Sequence, residues 1–420
     1  MNWFLLPVRL KTPVNMKLIA ILAVVLFVSA EHVWTADAVK TNRPMVEGFV
    51  HPGIYHTSND LAFMRQKIQS QSEPWYGAWQ QLQSEGHASL TFTPHAVAEW
   101  DANKDPYPGG DALAAYSHAL QWALTGNPAH AAKAIEILNA WSSNLKHIHG
   151  NNSQEMLVWG WNGCHFVNAA ELLRFYVPPG GKPSGWAPVE VERFKTMLGM
   201  GYETIKDFKP AFNGNWDAAM MNTMLCTAIF TDDPVMFDQV IDHFNGKYQL
   251  ANPRQSKNGN LTNYLLSTGQ CQESGRDQGH VQMGLGNYSA LCEAAWKQGV
   301  DLYGAFNNRL LVGYEYTAKY MLGHDDVSYA MIPGVQWTKI SAEKRDHFVP
   351  IYEAVYQHYV YRKGLEMPFT RQIIYSHSAV LTTRRTVRSY RPETSTPNAG
   401  ICWGTLTMYK GAEDPQACPR

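Results

Sequence analysis

The sequence is short of charge. Charged residues make up 17% of the 420, and 35 Lys+Arg against 36 Asp+Glu leave a formal net charge of -1. A near-neutral chain offers no broad field to phosphate backbones, which argues against a generic nucleic-acid binder. With 45% hydrophobic residues there is ample apolar surface to bury, which excludes a disordered chain. Cysteine is also scarce: 6 residues are too few for a small disulfide scaffold, and their spacings do not resemble a zinc site. Strand signals are sparse before Ile373. No G-x-S-x-G, P-loop, Rossmann fingerprint or H-E-x-x-H occurs, so an α/β hydrolase, a nucleotide enzyme and a zincin all lose ground.

Aromatic residues are plentiful: 12% of the chain, with 14 Trp and 21 Tyr. Flat rings with polar handles suit a carbohydrate-binding surface, but they equally suit an aromatic-rich helical core.

The N-terminus reads as a targeting segment. Met16-Lys17 precedes the apolar run Leu18 to Val28, a length typical of a signal peptide and short for a membrane span. Cleavage is expected after Ala30 or after Ala38, and Met1 to Asn15 reads as a possible upstream mis-start. An uncleaved anchor is the alternative. No later segment is apolar enough to span a bilayer, so residues 39–420 are expected to form one exported domain, secreted or periplasmic, with no membrane partner. Export permits disulfides, and Cys402 and Cys418 are close enough in sequence to pair. Cys226 and Cys292 sit in apolar helical stretches and read as buried thiols.

Most of the chain reads as helix pairs. Ser58-Asn59-Asp60 offers N-caps to Leu61–Leu82, which Pro74 must divide. Further helical stretches are Asp111–Thr125, Ala129–Leu145, Glu155–Tyr176, Val189–Phe208, Trp216–Phe230, Pro234–Phe244, Asp277–Gln298, Tyr303–Leu322 and Arg345–Lys363. Thr125-Gly126-Asn127-Pro128 and Thr231-Asp232-Asp233-Pro234 both look like turns between antiparallel helices, with Pro opening the second. Gln372–Thr383 carries a weak signal for one or two short strands. Helix pairs without a detectable repeat suggest an all-α chain folded as an (α/α) toroid, rather than a solenoid. The stretch Asn252 to Asn263 reads as a functional loop.

Two segments carry chemistry. In Phe212-Asn213-Gly214-Asn215-Trp216-Asp217, two amides flank a glycine ahead of an apolar helix. Asn215 is placed to cap that helix. Alternatively, Asn213 and Asn215 face a substrate carboxylate and Trp216 offers a stacking face. The second segment runs from Gly269 to Gln282. If it is helical from Glu273, then Glu273, Arg276 and His280 fall on one face. A carboxylate beside an imidazole fixes its tautomer and raises its basicity, and an Arg can grip a substrate carboxylate. A structural ion-pair network at a helix start is the competing reading. Gln270 is a further substrate-binding candidate. Gly275 and Gly279 would let a ligand chain approach closely. Tyr314, Tyr316 and Tyr320 follow helical spacing and read as core, as do Tyr356 and Tyr359.

At these residues the chain resembles the alginate-lyase superfamily of polysaccharide lyases, and most of all polysaccharide lyase family 38, whose members act on glucuronan and related uronate polymers. The resemblance rests on His51-Pro52-Gly53-Ile54-Tyr55-His56-Thr57, Asn213 to Asp217, Gly269 to His280, Glu315-Tyr316-Thr317-Ala318, and Tyr352-Glu353 through His358-Tyr359. It implies a cleft or tunnel in a toroid and β-elimination at a uronate. The His residues show no metal-ligand spacing, so no metal or other cofactor is expected. A neutraliser acidifies the C5 proton, a base removes it, and an acid protonates the leaving O4. By motif, Asn215 or Asn213 neutralises, His280 is the base or its proton-transfer partner, and Glu273 orients His280. Tyr316 and Tyr352 are the candidate acids, and Arg276 and Arg345 the candidate substrate arginines. In related lyases a Tyr stands where this chain has His280, which leaves base and acid open between them. A glycoside hydrolase using two of Asp217, Glu273 and Asp277, and a non-catalytic glycan binder, are the competing functions.

Overall fold

Local capping chemistry sets where the helices begin. The computed structural model describes residues 48–207, 214–247, 261–332, 335–378 and 397–414. The expected signal peptide, Asn213, Cys418 and most of the 252–263 loop lie outside them. The first helix, α1 (Ser58–Gln69), is capped by Thr57, one residue earlier than expected: the Thr57 hydroxyl accepts from the Asp60 N–H at 3.3 Å and the Asp60 carboxylate accepts from the Thr57 N–H at 2.7 Å. This reciprocal box satisfies two N–H groups that a helix start leaves orphaned. Pro74 divides α1 from α2 (Trp75–Ser84), as its missing N–H requires.

Next come α3 (Tyr107–Thr125) and α4 (Pro128–Asn144), joined by the turn the sequence marks. Gly126 takes the left-handed conformation at φ 76°, and Asn127 caps α4 by accepting from Ala129 N–H at 3.1 Å. After α5 (Gln154–Phe175) and α6 (Pro188–Ile205), the pair α7 (Gly214–Thr231) and α8 (Pro234–Phe244) repeats the device. There Asp233 Oδ1 accepts from the Val235 and Met236 N–H groups at 3.0 and 2.9 Å. The short α9 (Leu261–Tyr264), α10 (Gln278–Lys297), α11 (Ala305–Met321), α12 (Tyr352–Tyr356), α13 (Pro368–Ser378) and α14 (Gly404–Thr407) complete the α-helices among the described residues.

Burial sorts these helices into two layers. Helices α3, α5, α7 and α10 are buried nearly all round and pack in succession, α3 on α5, α5 on α7, α7 on α10. A helix apolar on every side belongs inside. Their partners α4, α6, α8 and α11 bury one face each. In α8 that face is Phe237, Val240, Ile241 and Phe244, at the spacing of a single helical stripe. Paired inner and outer helices of this kind make the (α/α) toroid expected from the sequence. Part of the aromatic excess is core: Trp100, Trp122, Trp141, Trp159 and Trp403 are among the largest fully buried side chains. Cys226 and Cys292 are buried free thiols as expected, and Cys402 is buried as well.

Two expectations fail. The stretch from Gln372 is helical through Ser378, not strand, because Pro368 opens α13 and Glu315 caps it from a distance, accepting from Phe369 and Thr370 N–H groups at 2.9 and 2.8 Å. The Arg345–Lys363 helix begins only at Tyr352, beyond Pro350. The described strands are Glu99–Asp101 and His147–His149, a parallel pair with Trp100 opposite Ile148.

A buried ionic cluster ties the two ends of the described chain together. Lys297 Nζ lies 2.9 Å from Asp60 and 3.0 Å from Glu293, while Lys410 also binds Asp60. Arg362 holds Glu293 through both terminal nitrogens at 3.1 and 3.2 Å, and its Nε meets Asp414 at 3.0 Å. Opposite charges balance here, which makes burial tolerable. Among the described residues no helix is long and apolar enough to cross a membrane.

Candidate active site

The polar segment after α9 is a folded loop rather than a helix. Leu265 bridges Cys271, the Leu266 N–H bonds the Gln270 carbonyl, and the Arg276 N–H bonds the Glu273 carbonyl at 2.8 Å. Helix α10 starts only at Gln278, with Asp277 as its extended N-cap. Glu273, Arg276 and His280 therefore meet through a turn and a helix start, not through a helical period.

Glu273 is buried, and both its oxygens are engaged. Asn215 Nδ2 donates to Oε2 at 2.5 Å, and an Arg276 terminal nitrogen donates to Oε1 at 3.1 Å. Burial pushes the Glu273 carboxyl above the ordinary range, against the opposing pull of His280, Arg276 and the Asn215 bond. Asn215 is fully buried at the start of α7, and its Oδ1 has no partner among the described residues. The expected carboxylate neutraliser does meet a carboxylate, but it is the protein's own.

His280 is oriented by a different residue from the one expected. Its Nδ1 lies 2.5 Å from Asp277 Oδ2, and its backbone N–H bonds Asp277 Oδ1 at 2.9 Å. Burial raises the Asp277 carboxyl, but the His280 backbone N–H, the His280 ring and Lys344 outweigh it and hold the group below its ordinary value. An ionised Asp277 places the imidazole proton on Nδ1 and leaves the lone pair on Nε2, by the logic of the hydrogen bond rather than by sight of the proton. The His280 side chain is 24% exposed, and Arg276 is 39% exposed. Both therefore reach solvent from buried anchors.

Several other candidates take structural posts. Gln270 clasps Ala330, donating from Nε2 to its carbonyl and accepting from its N–H, both at 2.7 Å. Its side-chain amide is spent on its own chain rather than on a sugar. The space Gly275 leaves is also filled from within: a Cβ there would stand 2.3 Å from Trp337 Cβ and 2.5 Å from the Tyr329 hydroxyl. At Gly279 the filler is Lys344. Tyr316 donates its hydroxyl to the Ser328 carbonyl at 2.6 Å. Tyr352 is a core residue, fully buried, with its hydroxyl on Gln282 at 3.1 Å and its ring edge-on to Tyr314. Arg345 stacks on Tyr320 at 3.8 Å, donates to the Tyr320 carbonyl at 2.7 Å and pairs with Asp325. None of these contacts joins Tyr316, Tyr352 or Arg345 to His280. Trp216 is half-buried against the core. Asp217, a carboxylate the hydrolase reading needs, is buried and paired with His243 at 3.1 Å.

A family model described as alginate lyase matches residues 62–327. The chain belongs to the alginate lyase family. It is a polysaccharide lyase, acting on alginate-type polymers, and no curated protein matches it. Among solved structures it is similar to alginate lyase A1-III from Sphingomonas species A1, at 13% identity and a TM-score of 0.57, covering 86% of this chain and 97% of that one. A histidine-to-alanine variant of A1-III, complexed with a tetrasaccharide, aligns at 13% identity and a TM-score of 0.58, over 88% of this chain and 99% of that one. At such identity the likeness speaks for the fold alone. In this lyase Asp277 is the orienting residue that the sequence marks only as a helix start and a possible hydrolase carboxylate. Lys344 and Tyr329 had no sequence signal at all, since each reaches the loop from a distant stretch.

Proposed function

We propose that this lyase is exported and cleaves uronate polymers, alginate and glucuronan among them, by β-elimination to unsaturated oligosaccharides. The observation that carries the reading is the His280 imidazole, fixed through Nδ1 by Asp277, with Nε2 bonded to no described residue and a half-exposed Arg276 anchored nearby on Glu273. Arg276 pairs with the uronate carboxylate and stabilises the charge that builds there as C5 loses its proton. Nε2 of His280 takes that proton. The electron pair of the C5–H bond forms the C4–C5 double bond as the C4–O4 bond breaks. The imidazolium then returns a proton to O4, because the hydroxyls of Tyr316 and Tyr352 are tied to Ser328 and Gln282. Asn215 and Glu273 act through Arg276, as positioning residues.

A panel of polymannuronate, mixed alginate and glucuronan tests this. Products with the far-ultraviolet absorbance of a conjugated double bond are expected. New reducing ends without that absorbance would indicate hydrolysis instead. Export is supported by the apolar run Leu18 to Val28 behind Met16-Lys17. Mass spectrometry of the exported chain should find its N-terminus after Ala30 or Ala38; retention of Met16 would contradict cleavage.

A further inference from the structure

We propose that Lys344 is a second carboxylate-binding residue of this site, holding a uronate beside the one that reacts; this rests on the lyase reading above. Lys344 comes from a stretch far from His280 in sequence, yet its Nζ lies 3.6 Å from Asp277 Oδ1. That distance is too long for a hydrogen bond. Both Asp277 oxygens are already bonded by His280. The ammonium is therefore an ion-pair partner of Asp277 rather than one of its hydrogen-bond donors, and the side chain is 47% exposed, within reach of a ligand.

The chain goes to some length to put the cation there. Lys344 has φ 58°, a left-handed conformation that is strained for a non-glycine residue and persists only where its surroundings enforce it. Those surroundings are visible. The Gln278 N–H bonds the Glu343 carbonyl at 3.0 Å, Gln278 Nε2 bonds the Ser341 carbonyl at 2.8 Å, and Gln282 Nε2 bonds the His347 carbonyl at 2.9 Å. The loop is stapled to the first turns of α10, which also carry His280. Gly279 leaves room for this: a Cβ there would come 2.8 Å from Lys344 Cδ, so a larger residue would make the lysine stem shift from the helix start.

The placement says which carboxylate is held. Lys344 pairs with Asp277 Oδ1, the oxygen that caps α10, whereas the proton is taken at Nε2, the ring nitrogen that Asp277 does not hold. A cation set against the cap rather than at Nε2 serves a carboxylate other than the one made acidic for reaction. A polyuronate supplies one on every sugar, so its neighbouring residue is the partner such a cation recognises.

The test compares wild type with K344Q and K344R on polymannuronate, with melting temperatures confirming the fold. K344Q should raise KM about five- to tenfold, equivalent to roughly 1–1.4 kcal/mol, leave kcat within about twofold, and lose most of this difference at high salt. K344R should recover most of the affinity. An unchanged KM in K344Q would overturn the proposal. So would equal losses of kcat in both variants at constant KM, which would make Lys344 a support for Asp277 alone. If wild type yields no unsaturated product from any uronate polymer, the lyase reading fails by itself. Lys344 is then judged by migration through polymannuronate gels: stronger retardation of wild type than of K344Q supports the site, and equal mobility refutes it.

Discussion

Asp277 holds His280 twice. One carboxylate oxygen lies 2.5 Å from the imidazole Nδ1, and the other accepts the His280 backbone N–H at 2.9 Å, capping α10. A single side chain thus fixes where the helix begins, which way the ring points and which ring nitrogen keeps its lone pair. Catalytic orientation and helix capping are joined in one residue, and a suitable substitution separates them.

That substitution is Asp277→Asn. Asparagine caps helices about as well as aspartate, so the melting temperature should change little. Its amide, however, removes the negative charge and presents a donor or a weak acceptor to Nδ1, which favours the wrong tautomer. A fall in kcat of roughly 10²- to 10⁴-fold is expected, by analogy with other oriented imidazole bases. Steady-state kinetics beside thermal melts would check it. A variant that keeps its activity would remove Asp277 from the mechanism.

Glu273→Gln asks the complementary question. Burial raises the Glu273 carboxyl, so its favourable share of stability is complete below the ordinary carboxylate value and is lost as pH rises through the raised one. At neutral pH the charged form is a cost. Glutamine removes that charge and offers an amide to Asn215 Oδ1, which has no partner among the described residues. The melting temperature at pH 7 should therefore hold or rise, while Arg276 loses its counter-charge and kcat/KM drops roughly 10- to 100-fold. Loss of both stability and activity would instead mark Glu273 as a structural residue.

Acid should destabilise the fold through two buried histidines. Burial lowers His56 to about 4, and burial together with His130 lowers His118 to about 4, from an ordinary 6.5. Between those values the unfolded chain binds more protons than the folded one. Stability is therefore complete above about pH 6.5 and falls as pH drops toward 4, by at most about 1.4 kcal/mol per pH unit for each group. Melting temperatures at pH 7 and pH 5 should show a clear decrease, and a flat profile would contradict the neutral, buried state of these rings.

The parts of this account that were legible in the sequence are those written locally. The turn Thr125-Gly126-Asn127-Pro128 states its own geometry, and so do the apolar stripe of α8 and the run of polar residues from Glu273 to His280. Where a partner lies far away, the local text misleads. Gln270 looks like a free amide because Ala330 is 60 positions on. Gly275 looks like room for a ligand because the Trp337 and Tyr329 side chains that fill it come from a later loop. Glu273 looks like the partner of His280 because a continuous helix would bring them onto one face. The helix starts later, at Gln278, and the post passes to Asp277. The Gln372 stretch misleads for the same reason, since its cap is Glu315, more than fifty residues upstream.

The central claim is that an Asp277-held His280 moves the proton in a β-elimination. The most direct test follows far-ultraviolet absorbance while wild type and His280→Ala each act on polymannuronate and glucuronan, with binding of both proteins to the polymer measured in parallel. Steadily rising absorbance with wild type is predicted, with a rate lower by roughly 10²- to 10⁴-fold in a variant that still binds. Undiminished production of the unsaturated product by His280→Ala would contradict it.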